Sequence, residues 1–330
     1  MFNIKNYTED IFKIKSPSSF ERLSIDAFRF QYAGNPVYRE YVDLCGLDTN
    51  KVNAIEKIPF LPIEFFKNHK IIVKGKKEQA VFLSSGTTSS VQSKHYIADL
   101  NLYKQSFLNG FELFYGDIQD FVILALLPNY LERSGSSLVF MVEELIKQTE
   151  SEHSGFYLYN HEELLGKIEF LQGINKKVLL IGVSYALLDL PVIKREAFKN
   201  VVIMETGGMK GKRKEMTKKE LHTALMEKFG VQEIHSEYGM TELLSQAYSH
   251  GGGIFQTPPW MKILIRDAYD PYSYLPAGRS GGINVIDLAN IFSCPFIETK
   301  DIGKIKPDGT FEVLGRFDNS DIRGCNLLVN

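Results

Sequence analysis

An apolar run that stops at a cluster of small, hydroxyl-bearing residues is the feature that most constrains this chain. Residues 79–83 have the composition of a β-strand, and the residues that follow at once are Ser84, Ser85, Gly86, Thr87 and Thr88. Glycine adopts backbone conformations that a Cβ forbids, and successive backbone N–H groups in such a turn form an anion-binding concavity. The segment therefore indicates a phosphate-binding loop, although a turn that only connects two elements has the same composition.

Continuous apolar runs farther along the chain are typical of strands buried on both faces of a parallel sheet. They lie at residues 121–127, 177–183 and 200–204, and helical patterns alternate with them. After residue 254 the pattern changes to short strands separated by Gly/Pro turns. We therefore predict an α/β fold with parallel or mixed sheets. The expected domains are a helical leader packed on the core (1–55), an α/β core (56–253) and a mostly β closing subdomain (254–330).

Composition excludes several classes of protein. The chain has 330 residues, 38 Lys+Arg against 40 Asp+Glu, and a net charge of −2, so a general affinity for nucleic acid or anionic membrane is not expected. No apolar run approaches the ~20 residues that span a bilayer, and the N-terminus has no signal-peptide pattern, so we expect a cytoplasmic protein without membrane insertion. The 3 cysteines are too sparse for a disulfide framework and show no zinc-ligand spacing.

Three further motifs follow the Ser/Thr/Gly loop in order. They are residues 235–242 (HSEYGMTE), 299–303 (TKDIG) and 315–318 (GRFD). Together with the loop they resemble the core motifs of the adenylate-forming superfamily, which includes acyl-CoA synthetases, luciferases and peptide-synthetase adenylation domains. Within it the chain is most similar to the acyl-protein synthetases of the bacterial bioluminescence fatty-acid reductase system, with phenylacetate–CoA ligases as relatives. An ordered set of motifs is far more specific than any one of them.

The resemblance implies that ATP and Mg²⁺ activate a carboxylic acid to an acyl adenylate, whose acyl group then passes to a thiol as a thioester. A fatty acid is the substrate that the family suggests, with an acyl-acceptor or reductase protein as partner. One alternative is an aryl-acid or acyl-acid ligase that delivers to coenzyme A or a carrier protein. Another is an ATP-binding protein that has lost catalysis. Ser89 and Gln92 support the second, because the family usually has glycine and lysine at these places.

The resemblance also implies roles for single residues. Glu242 would coordinate Mg²⁺, which prefers oxygen ligands, and Thr241 would contact phosphate. Asp301 and Arg316 would hold the ribose, although a structural ion pair would have the same residue types. Lys94 would supply charge from a shifted register, or be a surface lysine. The expected nucleotide-binding residues are Ser84, Ser85, Gly86, Thr87, Thr88, Lys94, Gly207, Gly208, Tyr238, Gly239, Asp301 and Arg316.

The C-terminal end differs from the family pattern. Typical members continue past the Gly-Arg motif into a small lid domain that carries a catalytic lysine, whereas this sequence ends at Asn330, so we expect the lid to be absent. The acyl-protein synthetases carry the acyl group on a cysteine near their C-terminus, and Cys325 stands in a matching place. Arg323 nearby would favour the thiolate, which is the competent nucleophile. A buried, inert cysteine in a terminal strand is the alternative.

Overall fold

The computed structural model of the chain describes residues 2–85, 91–128, 135–173, 176–191, 194–207 and 216–317. The helices are α1 (Ile4–Asp10), α2 (Pro17–Gly34), α3 (Pro36–Leu44), α4 (Phe65–Asn68), α5 (Leu100–Tyr115), α6 (Ser137–Gln148), α7 (His161–Leu171), α8 (Ser184–Asp189) and α9 (Lys218–Phe229). The strands are β1 (Leu61–Pro62), β2 (Ala80–Leu83), β3 (Lys94–Ile97), β4 (Phe121–Leu126), β5 (Gly155–Tyr157), β6 (Lys177–Val183), β7 (Val201–Thr206), β8 (His235–Tyr238), β9 (Ala247–Ser249), β10 (Ile254–Phe255), β11 (Met261–Arg266), β12 (Ser280–Asp287), β13 (Phe296–Ile305) and β14 (Phe311–Arg316).

The first large sheet is mostly parallel. Its strand order is β5-β4-β6-β7-β8-β9, and only β9 runs antiparallel to its neighbour. All six residues of β4 are buried, as its uninterrupted apolar composition predicts, because helices cover both faces of such a sheet. The carboxyl ends of β7 and β8 therefore lie side by side at one edge, where Thr206 pairs with Glu237.

The second large sheet is antiparallel along the order β10-β14-β13-β12-β11, and the short β1 adds in parallel to β13. The register shifts between Ile302 and Gly303 where β13 pairs with β14, which marks a β-bulge. A Cβ at Gly303 would lie 2.5 Å from the side chain of Ile283 and 2.7 Å from the carbonyl of Glu312, so only glycine fits there.

The N-terminal helices pack against the segment between β12 and β13. The amide of Gln31 donates to the carbonyl of Ile291, and Asn35 Nδ2 donates to the carbonyl of Ser293 at 2.8 Å. Tyr7 adds a hydrogen bond from its hydroxyl to the carbonyl of Leu288 at 3.2 Å. These buried contacts join the helical leader to the second sheet; the division of the chain into three domains stays a prediction.

Of two local sequence patterns, the structure forms the element that one indicates and not the element that the other indicates. Thr217 and Glu220 form the reciprocal capping box that their spacing predicts, and α9 follows directly. Residues 231–234 look like a strand in sequence, but they only connect α9 to β8, whose pairing with β7 begins at His235. No helix within the described ranges is long and apolar enough to cross a membrane.

Candidate active site

Three side chains from the two large sheets meet where the sheets adjoin. The hydroxyl of Tyr238, the last residue of β8, donates to Asp301 Oδ2 at 2.9 Å. Arg316 Nε lies 3.2 Å from Asp301 Oδ1, because β13 and β14 place these two residues directly opposite each other. The side chain of Arg316 is 66% exposed and that of Asp301 13%. The cluster therefore has an exposed guanidinium, that of Arg316, next to the largely buried carboxyl group of Asp301.

The environment of Asp301 has opposing effects on the protonation of its carboxyl group, and the net effect is a raised pKa. Burial raises the pKa of Asp301, while Arg316 and the hydrogen bond from Tyr238 oppose that rise. The ring of Tyr238 packs edge-on against Phe255 and Phe311, with centroids 5.9 and 5.6 Å away. The hydroxyl is thereby fixed in direction, and an aromatic face lies beside the charged pair.

Glu242 is connected to the stem of the Ser/Thr/Gly loop. Its side chain is 5% exposed and accepts a hydrogen bond from the hydroxyl of Ser93. The backbone N–H of Ser93 donates to Ser84 Oγ at 2.9 Å, and Gln92 Nε2 donates to the carbonyl of Ser84 at 2.8 Å. Burial raises the pKa of Glu242, whereas Ser93 and the nearby charge of Arg316 lower it. The stem of the Ser/Thr/Gly loop and the motif at residues 235–242 thus lie next to each other.

A buried pair of polar side chains, His95 and Asn290, lies behind the Thr241–Glu242 segment. His95 Nδ1 donates to the carbonyl of Thr241 at 2.7 Å, and its Nε2 lies 3.0 Å from Asn290 Oδ1. Asn290 Nδ2 donates to the carbonyls of Glu242 and Cys294 at 2.8 and 2.9 Å. Sequence reasoning missed both residues, because a single histidine or asparagine in a short strand or turn has no local signature.

A buried ion pair stabilises the carboxyl end of β7. Burial alone would raise the pKa of Glu205, but the charge of Lys218 and hydrogen bonds from His222 and Lys218 bring it to about 2. Ser184 Oγ donates to the carbonyl of Gly207 at 3.0 Å and to Glu205 at 3.2 Å. Gly207 has a φ of 69°, a left-handed conformation that favours glycine. The hydrogen bond from Ser184 thus fixes the carbonyl of Gly207.

A second buried acid lies beside Gly239. The hydroxyl of Thr206 donates to the carboxyl of Glu237, and burial raises the pKa of Glu237 to about 7. A Cβ at Gly239 would collide with the Glu237 carboxyl, so a larger residue there would displace that carboxyl. Gln246 Oε1 is buried and has no hydrogen-bond partner among the described residues.

Most of the predicted site residues fall into three groups. The structure brings Tyr238, Asp301 and Arg316 into contact and joins Glu242 through Ser93 to Ser84. Lys94 is exposed at the start of β3, opposite Leu83. Gly86, Thr87, Thr88, Gly208 and Cys325 lie outside the described residues.

Several assignments stay predictions. They are the roles of individual site residues, the acyl attachment at Cys325 and the absence of a lid domain. Within the described residues, no group of three or more His, Cys, Asp or Glu side chains is arranged to hold a metal ion.

Comparisons with known proteins agree with the predicted family. Residues 13–107 match the family model described as acyl-protein synthetase, LuxE. No curated protein sequence matches the chain.

Two kinds of solved structure share the fold. A crystal structure of ATP-bound MatB from Rhodopseudomonas palustris is 18% identical, with a TM-score of 0.55 over 72% of this chain and 48% of that one. An open conformation of 2-hydroxyisobutyryl-CoA ligase, in complex with 2-HIB-AMP and CoA, is 10% identical, with a TM-score of 0.66 over 92% of this chain and 71% of that one. The chain thus spans about half the length of the MatB structure that it matches.

The predicted α/β fold, with its mixed sheets and its β closing part, is confirmed by these likenesses. The chain is thus similar to the LuxE acyl-protein synthetase family over residues 13–107, and its fold is similar to that of the two ligase structures.

Proposed function

We propose that the protein activates a carboxylic acid with ATP, forming an acyl adenylate and pyrophosphate, and then transfers the acyl group to a thiol. The observation that carries the proposal is the convergence of the motifs. Asp301, Tyr238 and Arg316 form one contact cluster, and Glu242 is hydrogen-bonded through Ser93 to the stem of the Ser/Thr/Gly loop. Residues far apart in sequence thus lie together, which supports a shared role in binding the nucleotide.

Asp301 and its neighbours fit the ribose and the base. A carboxylate accepts hydrogen bonds from both ribose hydroxyl groups, as acidic residues do in other nucleotide sites. The charge of Arg316 opposes the rise in the pKa of Asp301 that burial causes. The aromatic face of Tyr238 and the glycine backbone at Gly207 suit a flat base, because glycine allows a close approach. Gly208 and Gly239 belong to the same proposed surface.

Phosphate binding is proposed for the loop that begins at Ser84 and Ser85 and continues through Gly86, Thr87 and Thr88. Lys94, which pairs with Leu83 at the stem of the loop, and Thr241, whose carbonyl accepts a hydrogen bond from His95 on β3, are proposed to contribute. Glu242 would hold Mg²⁺, which commonly uses one or two carboxylates together with substrate phosphates and water. The ion would neutralise charge on the departing pyrophosphate. The Ser93 hydroxyl orients the Glu242 carboxylate for that role.

The proposed reaction has two steps, formation of the acyl adenylate and transfer of the acyl group to a thiol. An oxygen of the substrate carboxylate forms a bond to the α-phosphorus of ATP, and the bond to pyrophosphate breaks. A thiolate then attacks the acyl carbon, so a thioester forms and AMP leaves. By family resemblance the acid is a fatty acid and the first thiol is that of Cys325, from which a reductase or another acceptor protein would take the acyl group.

Carboxylate-dependent ATP–pyrophosphate exchange tests the activation step. We expect exchange with one class of acid when short, long and aromatic acids are compared in the presence of Mg²⁺, and loss of exchange in Glu242→Ala. A matched control is Glu169→Ala, which removes an exposed carboxylate on α7. Folded protein that binds ATP but exchanges with no acid would contradict the proposal and favour an ATP-binding protein without catalysis.

The acceptor is tested separately with the substrate found in that panel. Cys325→Ala is expected to keep exchange and to lose hydroxylamine-sensitive acylation of the chain, whereas Cys294→Ala keeps both, because Cys294 is buried and its pKa is raised to about 12 by burial. Transfer to coenzyme A or a carrier protein by the Cys325→Ala variant would instead favour the ligase alternative.

A further inference from the structure

The Thr241–Glu242 segment is held from behind by side chains that come from two distant parts of the chain. His95 lies on β3 and is 0% exposed, and Asn290 lies between β12 and β13 and is 1% exposed. Their hydrogen bonds fix two consecutive carbonyl groups, that of Thr241 through His95 Nδ1 (2.7 Å) and that of Glu242 through Asn290 Nδ2 (2.8 Å).

We propose that His95 and Asn290 are positioning residues for the activation step: they fix the backbone of Thr241 and Glu242, and with it the direction of the two motif side chains. The inference rests on the proposed function, since it assigns Thr241 and Glu242 to phosphate and metal. Neither residue reaches a bound substrate, because both are fully covered by protein. They are therefore not catalytic residues themselves.

The geometry leaves the segment little freedom. A rotation of the peptide between Thr241 and Glu242 would break a hydrogen bond and strand a buried carbonyl, which is unfavourable. Asn290 is itself fixed by a hydrogen bond to the carbonyl of Cys294, and the ring of Phe66 packs edge-on against His95 at 5.6 Å. The two side chains therefore form a rigid support.

The following residues are held by a different group. The buried carboxylate of Asp287 accepts hydrogen bonds from the backbone N–H groups of Leu244 and Ser245 at 2.7 and 3.0 Å. The carbonyls of Thr241 and Glu242 and the amides of Leu244 and Ser245 are thus all fixed by side chains from other parts of the chain. Such control of backbone at two points is what a site needs when a small displacement of a reacting group reduces the rate strongly.

The first test compares two variants at His95. His95→Leu removes both polar contacts, whereas His95→Asn keeps an amide donor near the place of Nδ1. In ATP–pyrophosphate exchange we expect His95→Leu to lower kcat by about 100-fold with little change in the KM of the acid, the size expected for a misplaced catalytic group. We expect His95→Asn to recover at least about tenfold of that loss, since one hydrogen bond is restored.

The Mg²⁺ dependence of ATP–pyrophosphate exchange distinguishes a positioning role of His95 and Asn290 from a general effect on protein stability. In His95→Leu and Asn290→Ala the Mg²⁺ concentration for half-maximal exchange should rise about tenfold, as when groups that orient metal ligands are removed. Thr149→Val is the matched control, because Thr149 is buried and hydrogen-bonded to Ile146 and Ser154 far from the segment. It should lower the melting temperature without changing kcat or the Mg²⁺ dependence.

Hydrogen–deuterium exchange provides a readout that does not need activity. We expect faster exchange of the amides between residues 243 and 246 in His95→Leu and Asn290→Ala, and no change there in Thr149→Val. Unchanged hydrogen–deuterium exchange at residues 243–246 in His95→Leu and Asn290→Ala would overturn the proposal. So would a kcat and an Mg²⁺ dependence in these two variants like those of Thr149→Val. If wild-type protein shows no exchange of pyrophosphate with any acid, the proposed function fails, and the amide measurement alone still decides whether the support exists.

Discussion

Two buried glutamates on neighbouring strands show how surroundings decide the charge of one residue type. Glu205 on β7 is paired with Lys218, which helps to bring its pKa to about 2. Glu237 on β8 has no cation in contact among the described residues, and burial raises its pKa to about 7. Near neutral pH the first is a fixed negative charge, and the second is partly protonated.

Replacement of Glu237 by glutamine should stabilise the protein at high pH. A group whose pKa is higher in the folded state than in the unfolded chain contributes stability below its unfolded pKa of about 4.5, and that contribution is lost as the pH rises towards the folded value of about 7. Above pH 7 we therefore expect Glu237→Gln to be more stable than wild type by about 1–3 kcal/mol. Urea unfolding between pH 4.5 and 8.5 measures the difference; parallel pH profiles for the two proteins would contradict it.

Asp301 should determine recognition of the ribose. Asp301→Ala removes the proposed acceptor of the ribose hydroxyls, and we expect the KM for ATP to rise at least about tenfold, since a hydrogen bond to a charged group contributes ~1.5–3 kcal/mol. Wild-type protein should discriminate against 2′- or 3′-deoxy-ATP, and the variant should not. Tyr238→Phe removes one hydroxyl and should have a smaller effect. Equal discrimination in Asp301→Ala and wild type would show that the carboxylate binds something else.

At the level of elements, the ion pair between Lys218 and Glu205 joins the start of α9 to the carboxyl end of β7. The side chain of Glu205 is fully buried, so removal of Lys218 leaves a buried charge that only hydrogen bonds from neutral groups such as Ser184 and His222 stabilise. The pair thus controls where α9 begins relative to the sheet that carries the site.

Lys218→Met should reduce the free energy of unfolding by about 3–5 kcal/mol, the cost of breaking a buried pair on one side. The double variant Lys218→Met/Glu205→Gln should recover part of that loss, because no isolated charge remains buried. Lys177→Met is the control: its pair with Asp120 is exposed and should contribute less than about 1 kcal/mol. Denaturant titrations of wild type, Lys218→Met, Glu205→Gln and the double variant give the coupling energy, and additive effects would contradict the account.

The elements show which part of the fold the sequence predicts. β4 and β6 could be predicted from uninterrupted apolar runs, and α9 from its capping box, because these signals are local. The length of β13 could not be predicted, since it depends on a bulge at Gly303 that only the neighbouring strands require. Residues 231–234 have a β-like composition, but pairing partners, not composition, decide where β8 begins.

The residues of the candidate site also divide into those that the sequence predicts and those that only the structure reveals. Glu242, Asp301 and Arg316 could be predicted, because they stand in recognisable motifs whose order resembles a known family. His95 and Asn290 could not, since their hydrogen bonds join residues 146 and 195 positions apart in sequence. Buried polar groups of this kind are found only when the fold shows which backbone groups need partners.

On the scale of the whole molecule, the site lies where the parallel sheet, the antiparallel sheet and the β2–β3 hairpin come together. Tyr238 ends the first sheet, Asp301 and Arg316 belong to the second, and the hairpin places Ser93 against Glu242. Residues of both sheets belong to one hydrophobic core, and the hydrogen bond from Tyr238 to Asp301 adds a polar contact between the sheets at this junction. We infer that substrate binding and the packing of the two sheets are energetically connected.

The most direct test of the proposed activation follows an oxygen atom. Protein, ATP and Mg²⁺ are incubated with the preferred acid labelled with ¹⁸O in its carboxylate, and hydroxylamine is added to trap the activated acyl group as a hydroxamate. Because the bridging oxygen of an acyl adenylate comes from the acid and stays with the phosphate, the account predicts one ¹⁸O in each AMP, detected by mass spectrometry. Formation of ADP, or of AMP that depends on the acid but carries no label, would contradict it.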